Sequence, residues 1–114
     1  MGKNPAFQFY PSDWSRDMDE HPLEVEGFWI RLCCRLWWSE TPGQATKTLA
    51  RWSKSLGIHH ITCLKNMTYL RDNHIANIEI KDGLYTIVNR RMVRDYDIKV
   101  LRSKCGTLGG NPIS

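Results

Sequence analysis

The 114-residue sequence predicts a single, mainly α-helical domain closed by a small β-hairpin. Three observations predict it. Apolar residues recur at helical spacing in successive segments between Pro22 and Asp72, the period then switches to alternation around Lys81-Asp82-Gly83, and a last helical pattern runs from Asn89 to Lys104. With 41% hydrophobic residues and five tryptophans, a chain of this length fills one core and not two.

Phe7 and Phe9 alternate with Gln8 and Tyr10, so Pro5 to Tyr10 is expected as a short strand or extended arm ended by Pro11. Ser12 or Asp13 then caps a brief helical turn holding Trp14. The first long helix is expected over residues 22–39, with Pro22 at its first position and Glu24 and Glu26 at the positive end of its dipole. Leu23, Gly27, Ile30, Cys34, Trp37 and Trp38 make one apolar stripe. Phe28, Trp29, Leu32 and Leu36 add bulk to the remaining face, which makes this helix central. Gly27 costs about 1 kcal/mol of propensity against alanine, pointing to a close approach by another backbone or a tryptophan ring. Thr41-Pro42-Gly43 closes the segment.

A second helix is expected over 45–56, with Leu49, Trp52 and Leu56 inward, Lys47, Arg51 and Lys54 outward, and Gly57 as its C-cap. After the short Gly57-Ile58 turn, a third helix over 60–72 directs Cys63, Leu64, Met67 and Leu70 to the core. Thr62, Lys65, Asn66 and Tyr69 fall on its opposite face. Ile75, Ile78, Ile80 and Tyr85, Ile87 flank Asp82-Gly83, a strong hairpin signal. The last helix, over 89–104, turns Met92, Val93, Tyr96 and Val100 inward and displays Arg90, Arg91, Arg94, Lys99 and Arg102. Gly106, Gly109, Gly110 and Pro112 are expected to stop it, leaving a domain over 1–104 and a glycine-rich linker over 105–114 that leads to a further region.

No apolar run approaches the roughly 20 residues of a membrane span, and the N-terminus lacks the apolar stretch of a secretory signal, so a cytoplasmic protein without membrane contact is expected. Met1-Gly2 does not begin a myristoylation motif, because Ala6 stands where Ser or Thr is needed. Cys33, Cys34, Cys63 and Cys105 contain no CxxC spacing and read as free thiols. His59 and Cys63 share a helix face, but a structural zinc needs further ligands. Asp17, Asp19, Glu20 and Glu24 lack an accompanying base, nucleophile or phosphate loop. No enzyme activity, metal or cofactor is expected.

Helix, short turn, helix, hairpin is the order of a winged helix-turn-helix. The net charge of +4 is unevenly spread: residues 1–40 hold four Lys or Arg against seven Asp or Glu, and residues 41–114 hold twelve against five. A basic half carrying that motif points to double-stranded DNA as the partner. In this geometry the third helix presents His59, Thr62, Lys65, Asn66 and Tyr69 to the major groove, with Asn66 suited to adenine and Lys65 to guanine. Lys81 at the hairpin tip and Lys47, Arg51, Lys54 and Arg71 would serve phosphates. A different class of reading is a protein-interaction adaptor or homodimer module docking through Phe7, Phe9, Tyr10 and Trp14, and a third is a transcriptional regulator using the same DNA surface.

The string Pro5-Ala6-Phe7-Gln8-Phe9-Tyr10-Pro11-Ser12-Asp13-Trp14 resembles the opening of the YdaU-like family of phage and prophage proteins. Leu23-Glu24, then Glu26-Gly27-Phe28-Trp29-Ile30-Arg31-Leu32-Cys33 with Trp37, is similar to that family's first helix, and Lys104-Cys105-Gly106 with Gly109-Gly110-Asn111-Pro112 is similar to its linker. Pro22 departs from the family's more usual Ser or Thr cap, and Trp52 and His59-His60 match no motif of it. The resemblance implies an N-terminal winged-helix domain of a phage replication-initiation protein, working beside DnaD-like functions, a helicase loader or a replicative helicase. It implies no catalytic residues.

Overall fold

The computed structural model describes residues 6–109, and the surroundings of side chains as far as Ser103. The expectations for Pro5, for the Lys104 and Cys105 side chains, and for Gly110 to Ser114 lie outside the described residues. Five helices surround a three-stranded antiparallel sheet: α1 (Pro11–Met18), α2 (Leu23–Trp37), β1 (Gln44–Thr48), α3 (Leu49–Leu56), α4 (His60–Asp72), β2 (Asn77–Lys81), β3 (Leu84–Val88) and α5 (Arg90–Gly109). The sheet order is β1-β3-β2.

The arm, residues 6–10, is extended but pairs with no strand. Pro11 opens α1 instead of ending a strand, because a proline in the first turn lacks only an N–H that would go unbonded there. Its N-cap is therefore Tyr10, ahead of the expected Ser12 or Asp13. Pro22 likewise stands one place earlier than expected, as the N-cap of α2.

Helix α2 is central, and of the expected stripe Trp37 is buried and Ile30 packs against the core, but most of the core face is the second apolar set. Val25, Phe28, Trp29, Leu32, Cys33, Leu36 and Trp37 are buried, whereas Leu23 is 85% and Trp38 58% exposed. The bulkier set of side chains took the core, as the larger apolar area removed from water dictates. Gly27 lies on the exposed side, and a Cβ there would meet nothing within 4 Å, so the expected close approach is absent. The glycine that does carry one is Gly43, at φ +96°, where a Cβ would fall 2.7 Å from Val93 Cγ2 and 2.9 Å from the Val93 nitrogen.

Residues 44–48 form strand β1 where the sequence predicts the start of a helix. Gln44 pairs with Val88 and Thr48 with Leu84, and the Thr46 and Thr86 hydroxyls bond across the strands at 2.8 Å. Thr48 ends the strand and caps the next helix, since its Oγ1 accepts the Arg51 amide at 3.2 Å. Helix α3 then buries Trp52 and Leu56 and closes on Gly57 at φ +70°. The carbonyls at its end accept from α2: Arg31 donates to Leu56 O and Arg35 to Ser55 O, each at 3.0 Å. Two guanidinium groups thus meet the negative end of the α3 dipole.

Strands β2 and β3 meet in the expected two-residue turn, with Asp82 at φ 52° and Gly83 at φ 75°, the positive pair that a type I′ hairpin requires. Asn89 joins the sheet to α5. Its Oδ1 accepts the Met92 amide at 3.1 Å, its own amide donates to Gly43 O at 2.8 Å, and its Nδ2 donates to Cys33 Sγ at 3.3 Å. Helix α5 runs through Gly106 to Gly109, so the expected boundary at residue 104 falls inside a continuous helix. A glycine costs about 1 kcal/mol in a helix, which a long run of intrahelical bonds tolerates.

Two stability predictions follow from these contacts. Gly27→Ala should raise stability by about 0.5–1 kcal/mol, whereas Gly43→Ala should lower it by more than that gain; denaturant unfolding of both variants checks the pair, and a destabilised Gly27→Ala would contradict the open space. Burial pushes the Cys33 thiol from its ordinary 9.0 up to about 12, against the smaller lowering effect of the Asn89 hydrogen bond. The folded state therefore holds this proton more tightly than the unfolded chain. The resulting stabilisation is complete below about pH 9 and is lost as pH rises toward the folded value. Unfolding curves from about pH 9 to pH 11 should fall less steeply for Cys33→Ala than for the parent, and equal slopes would refute it.

Candidate functional site

The paired helices α3 and α4 are joined by Gly57, Ile58 and His59, a turn that only a left-handed residue at Gly57 makes this short. His59 caps α4, its Nδ1 accepting the Ile61 amide at 3.2 Å, and its ring stacks on His60 at 4.4 Å between centroids. Its imidazole is therefore engaged in starting the helix, while remaining exposed.

Helix α4 has the expected bounds, yet its roll about its own axis differs. Asn66 is 2% exposed, not on the outer face, and Leu64 is 40% exposed, not in the core. The cause is polar. Asn66 Nδ2 donates to Glu24 Oε2 and to Thr62 O, both at 3.0 Å, and the half-buried Tyr69 hydroxyl meets His21 Nδ1 at 2.8 Å. Glu24 and His21 flank the start of α2, so both contacts fasten α4 to that junction. Asn66 and Tyr69 are thereby withdrawn from the surface on which the sequence reading set them.

The outward stripe of α4 is instead Ile61, Leu64, Lys65 and Thr68, with Thr62 beside it. Ile61 is 64% exposed. Sequence reasoning missed Ile61, Leu64 and Thr68, though a signal was present: Cys63, Met67 and Leu70 alone fix a core line whose opposite side runs through 61, 65 and 68.

The remaining expected contacts are distributed over α3 and the sheet. Arg51 and Lys54 are exposed on successive turns of α3. Lys47 stands on β1, not on a helix, with its Nζ 5.2 Å from the centre of the Trp52 ring. Lys81 is exposed at the hairpin tip, in one row with Leu84 and Thr48 across the sheet. Because Thr48 also holds the Arg51 amide, the hairpin tip and the start of α3 are direct neighbours. Arg71 is exposed but faces Asp72 at 3.3 Å. Among the described residues, no ion pair engages Arg51, Lys54, Lys65 or Lys81.

Elsewhere, the aromatic arm is occupied by its own domain. Phe7 lies against Trp37 with ring centroids 5.8 Å apart, Phe9 against Trp14 at 5.3 Å, and Tyr10 donates to Asp95 at 3.0 Å beneath the Arg91 guanidinium. Phe7 and Trp14 are thus half-buried against their own domain, while Phe9 and Tyr10 remain 47% and 38% exposed. The hydrogen bond to Asp95 raises the Tyr10 pKa. Burial raises that of the Cys63 thiol, which sits in the core and not beside His59 at the surface. Among the described residues, no three His, Cys, Asp or Glu side chains converge on a metal position, and no helix is long and apolar enough to cross a membrane.

No family model matches the chain, and neither does a curated protein or a solved structure. The likeness to the YdaU-like family accordingly rests on the residues quoted for it.

The inward contacts of Asn66 predict a separation of effects on α4. Asn66→Ala should lower stability by about 1–3 kcal/mol through lost hydrogen bonds and packing. Lys65→Ala, on the open side, should stay within about 0.5 kcal/mol of the parent. Thermal unfolding checks both; an Asn66→Ala protein as stable as the parent would mean that the side chain faces water.

Proposed function

We propose that this chain is a winged helix-turn-helix domain that binds duplex DNA, with α3 and α4 as the helix pair and the β2–β3 hairpin as the wing. One observation carries the reading: the order α2, β1, α3, α4, β2, β3 sets a helix with an open face beside a hairpin, and among the described residues Lys47, Arg51, Lys54, Lys65 and Lys81 on those elements have no acidic partner. The second helix of such a pair enters the major groove while neighbouring cations meet the phosphates. Lys65 serves from α4, Arg51 and Lys54 from α3, Lys47 from β1 and Lys81 from the wing. His59 and Thr62 lie at the groove-entering end, and Arg71 can exchange its exposed pair with Asp72 for a phosphate.

The setting we propose is initiation of phage or prophage replication in the cytoplasm, supported by the N-terminal string that resembles the YdaU-like family. Recruitment of a helicase loader or replicative helicase, and homodimer formation on a two-fold site, belong to the same proposal. A protein-interaction role is the second reading, favoured by the exposure of Ile61 and Leu64.

Titration of a fluorescent random-sequence duplex at about 50 to 200 mM salt tests the reading. Phosphate contacts from Lys47, Arg51, Lys54, Lys65 and Lys81, with Arg71 as a sixth, predict a slope of log affinity against log salt of about −5, and Arg51→Ala or Lys54→Ala should each make it shallower by about one unit. Binding that ignores salt, or no binding across that range, would sink the proposal.

A further inference from the structure

We infer that α4 reads thymine methyl groups, so that the preferred duplex is rich in A·T pairs with thymines facing this helix. The inference rests on the DNA-binding reading above and specifies what the helix recognises. Three residues carry it. Ile61, Leu64 and Thr68 form one line on the open side of α4, at spacings of three and four residues, beginning in the first turn. Ile61 and Leu64 are 64% and 40% exposed, and neither contributes to the buried core.

The alternatives for base reading on this helix are few. Asn66, the one side chain able to bond adenine through both edge atoms, is committed to Glu24 and Thr62 O. The Tyr69 hydroxyl is committed to His21. What remains outward is the aliphatic surface of Ile61 and Leu64, the half-buried Thr68 and the Lys65 ammonium, with His60 and Thr62 exposed in the first turn. In the major groove the apolar feature of a base pair is the C5-methyl of thymine, and aliphatic side chains bury it. Lys65 beside that line serves a guanine edge or a phosphate at the margin of the site.

The occupant is a nucleic acid and not an apolar protein face because of the charge around the line. Lys65 interrupts it, and Arg51, Lys54 and Lys81 are exposed on the preceding helix and the hairpin tip with no ion pair among the described residues. An apolar partner surface would have to leave those cations beside it or bring carboxylates of its own.

Replacing thymine by uracil removes the methyl and leaves the hydrogen-bonding edge unchanged. Binding of the whole chain is measured on three duplexes of equal length: alternating A·T, the same with deoxyuridine, and alternating G·C. Each methyl buried is worth about fourfold in affinity, so with two of them buried the A·T duplex should bind about fifteenfold more tightly than its uracil counterpart. Ile61→Ala and Leu64→Ala, both at exposed positions and checked by unfolding, should shrink that ratio toward one while leaving the salt dependence intact. Equal binding to thymine and uracil duplexes with normal salt dependence would overturn the methyl reading and leave DNA binding standing. A ratio unmoved by either variant would also overturn it, by assigning the methyl effect to another surface. No binding to any of the three would remove the DNA reading itself.

Discussion

The indole of Trp52 joins the helical part of the molecule to the sheet, and the position of the candidate surface depends on that joint. The ring is fully buried, and its Nε1–H donates to the Tyr85 carbonyl at 3.0 Å. A buried indole N–H left without an acceptor would cost about 1–3 kcal/mol, so the ring cannot turn away from β3 without loss. On its other side Lys47 extends across the ring from β1. One side chain on α3 is thus held by both outer and central strands, and truncating it would open a cavity costing about 3–5 kcal/mol. The hairpin and the helix pair are thereby joined, which holds the cations of α3, β1 and the hairpin tip in a fixed relation.

The roll of α4 is set by a different kind of force. Cys63, Met67 and Leu70 bury apolar area, but such burial is non-directional and tolerates some rotation. Hydrogen bonds do not. Asn66 to Glu24 and Tyr69 to His21 lie three residues apart on the helix and reach the start of α2 from either side. Together they fix which residues look outward. The polar groups that a sequence reading assigns to recognition work as internal fasteners, and the residues they force outward are Ile61 and Leu64.

Much of the architecture was legible in local pattern: the bounds of α4, the left-handed cap at Gly57 and the Asp82-Gly83 turn follow from neighbours within a few residues. What escaped depends on partners far along the chain. Ala45, Leu49, Trp52 and Leu56 fit helical spacing, and nothing local marks residues 44–48 as a strand; β1 exists because β3, some forty residues later, offers it a ladder. Asn66 is an ordinary surface residue until Glu24, 42 residues earlier, becomes its acceptor. In α2, both faces were apolar, and only the packed assembly decides that Phe28 and Trp29 go in while Leu23 and Trp38 stay out. Of the candidate site, the cations were legible by type and order, and the outward face of α4 was not.

Formal charge alone would overstate the basic surface, because many cations already have structural work. Arg31 and Arg35 terminate α3, Arg90 donates to Asn77, and Arg91 bonds Asp13 at 2.9 Å while covering Tyr10. Arg16 shares Asp13 and also meets Asp17. Arg31 and Arg35 reach the last carbonyls of α3, directly before the turn between α3 and α4, whereas the other contacts lie on α1 and at the start of α5. Of these cations, only Arg16 and Arg91 meet carboxylates, and exposed pairs of this kind are worth about 0–1 kcal/mol each; the neutral acceptors of Arg31, Arg35 and Arg90 leave those charges in place. Among the described residues no ion pair engages Arg51, Lys54, Lys65 or Lys81 on α3, α4 and the β2–β3 hairpin, nor Arg94, Lys99 or Arg102 on α5. A net charge of +4 therefore leaves unpaired cations on the helix pair and the hairpin as well as on the last helix, with the acidic excess carried by residues 1–40.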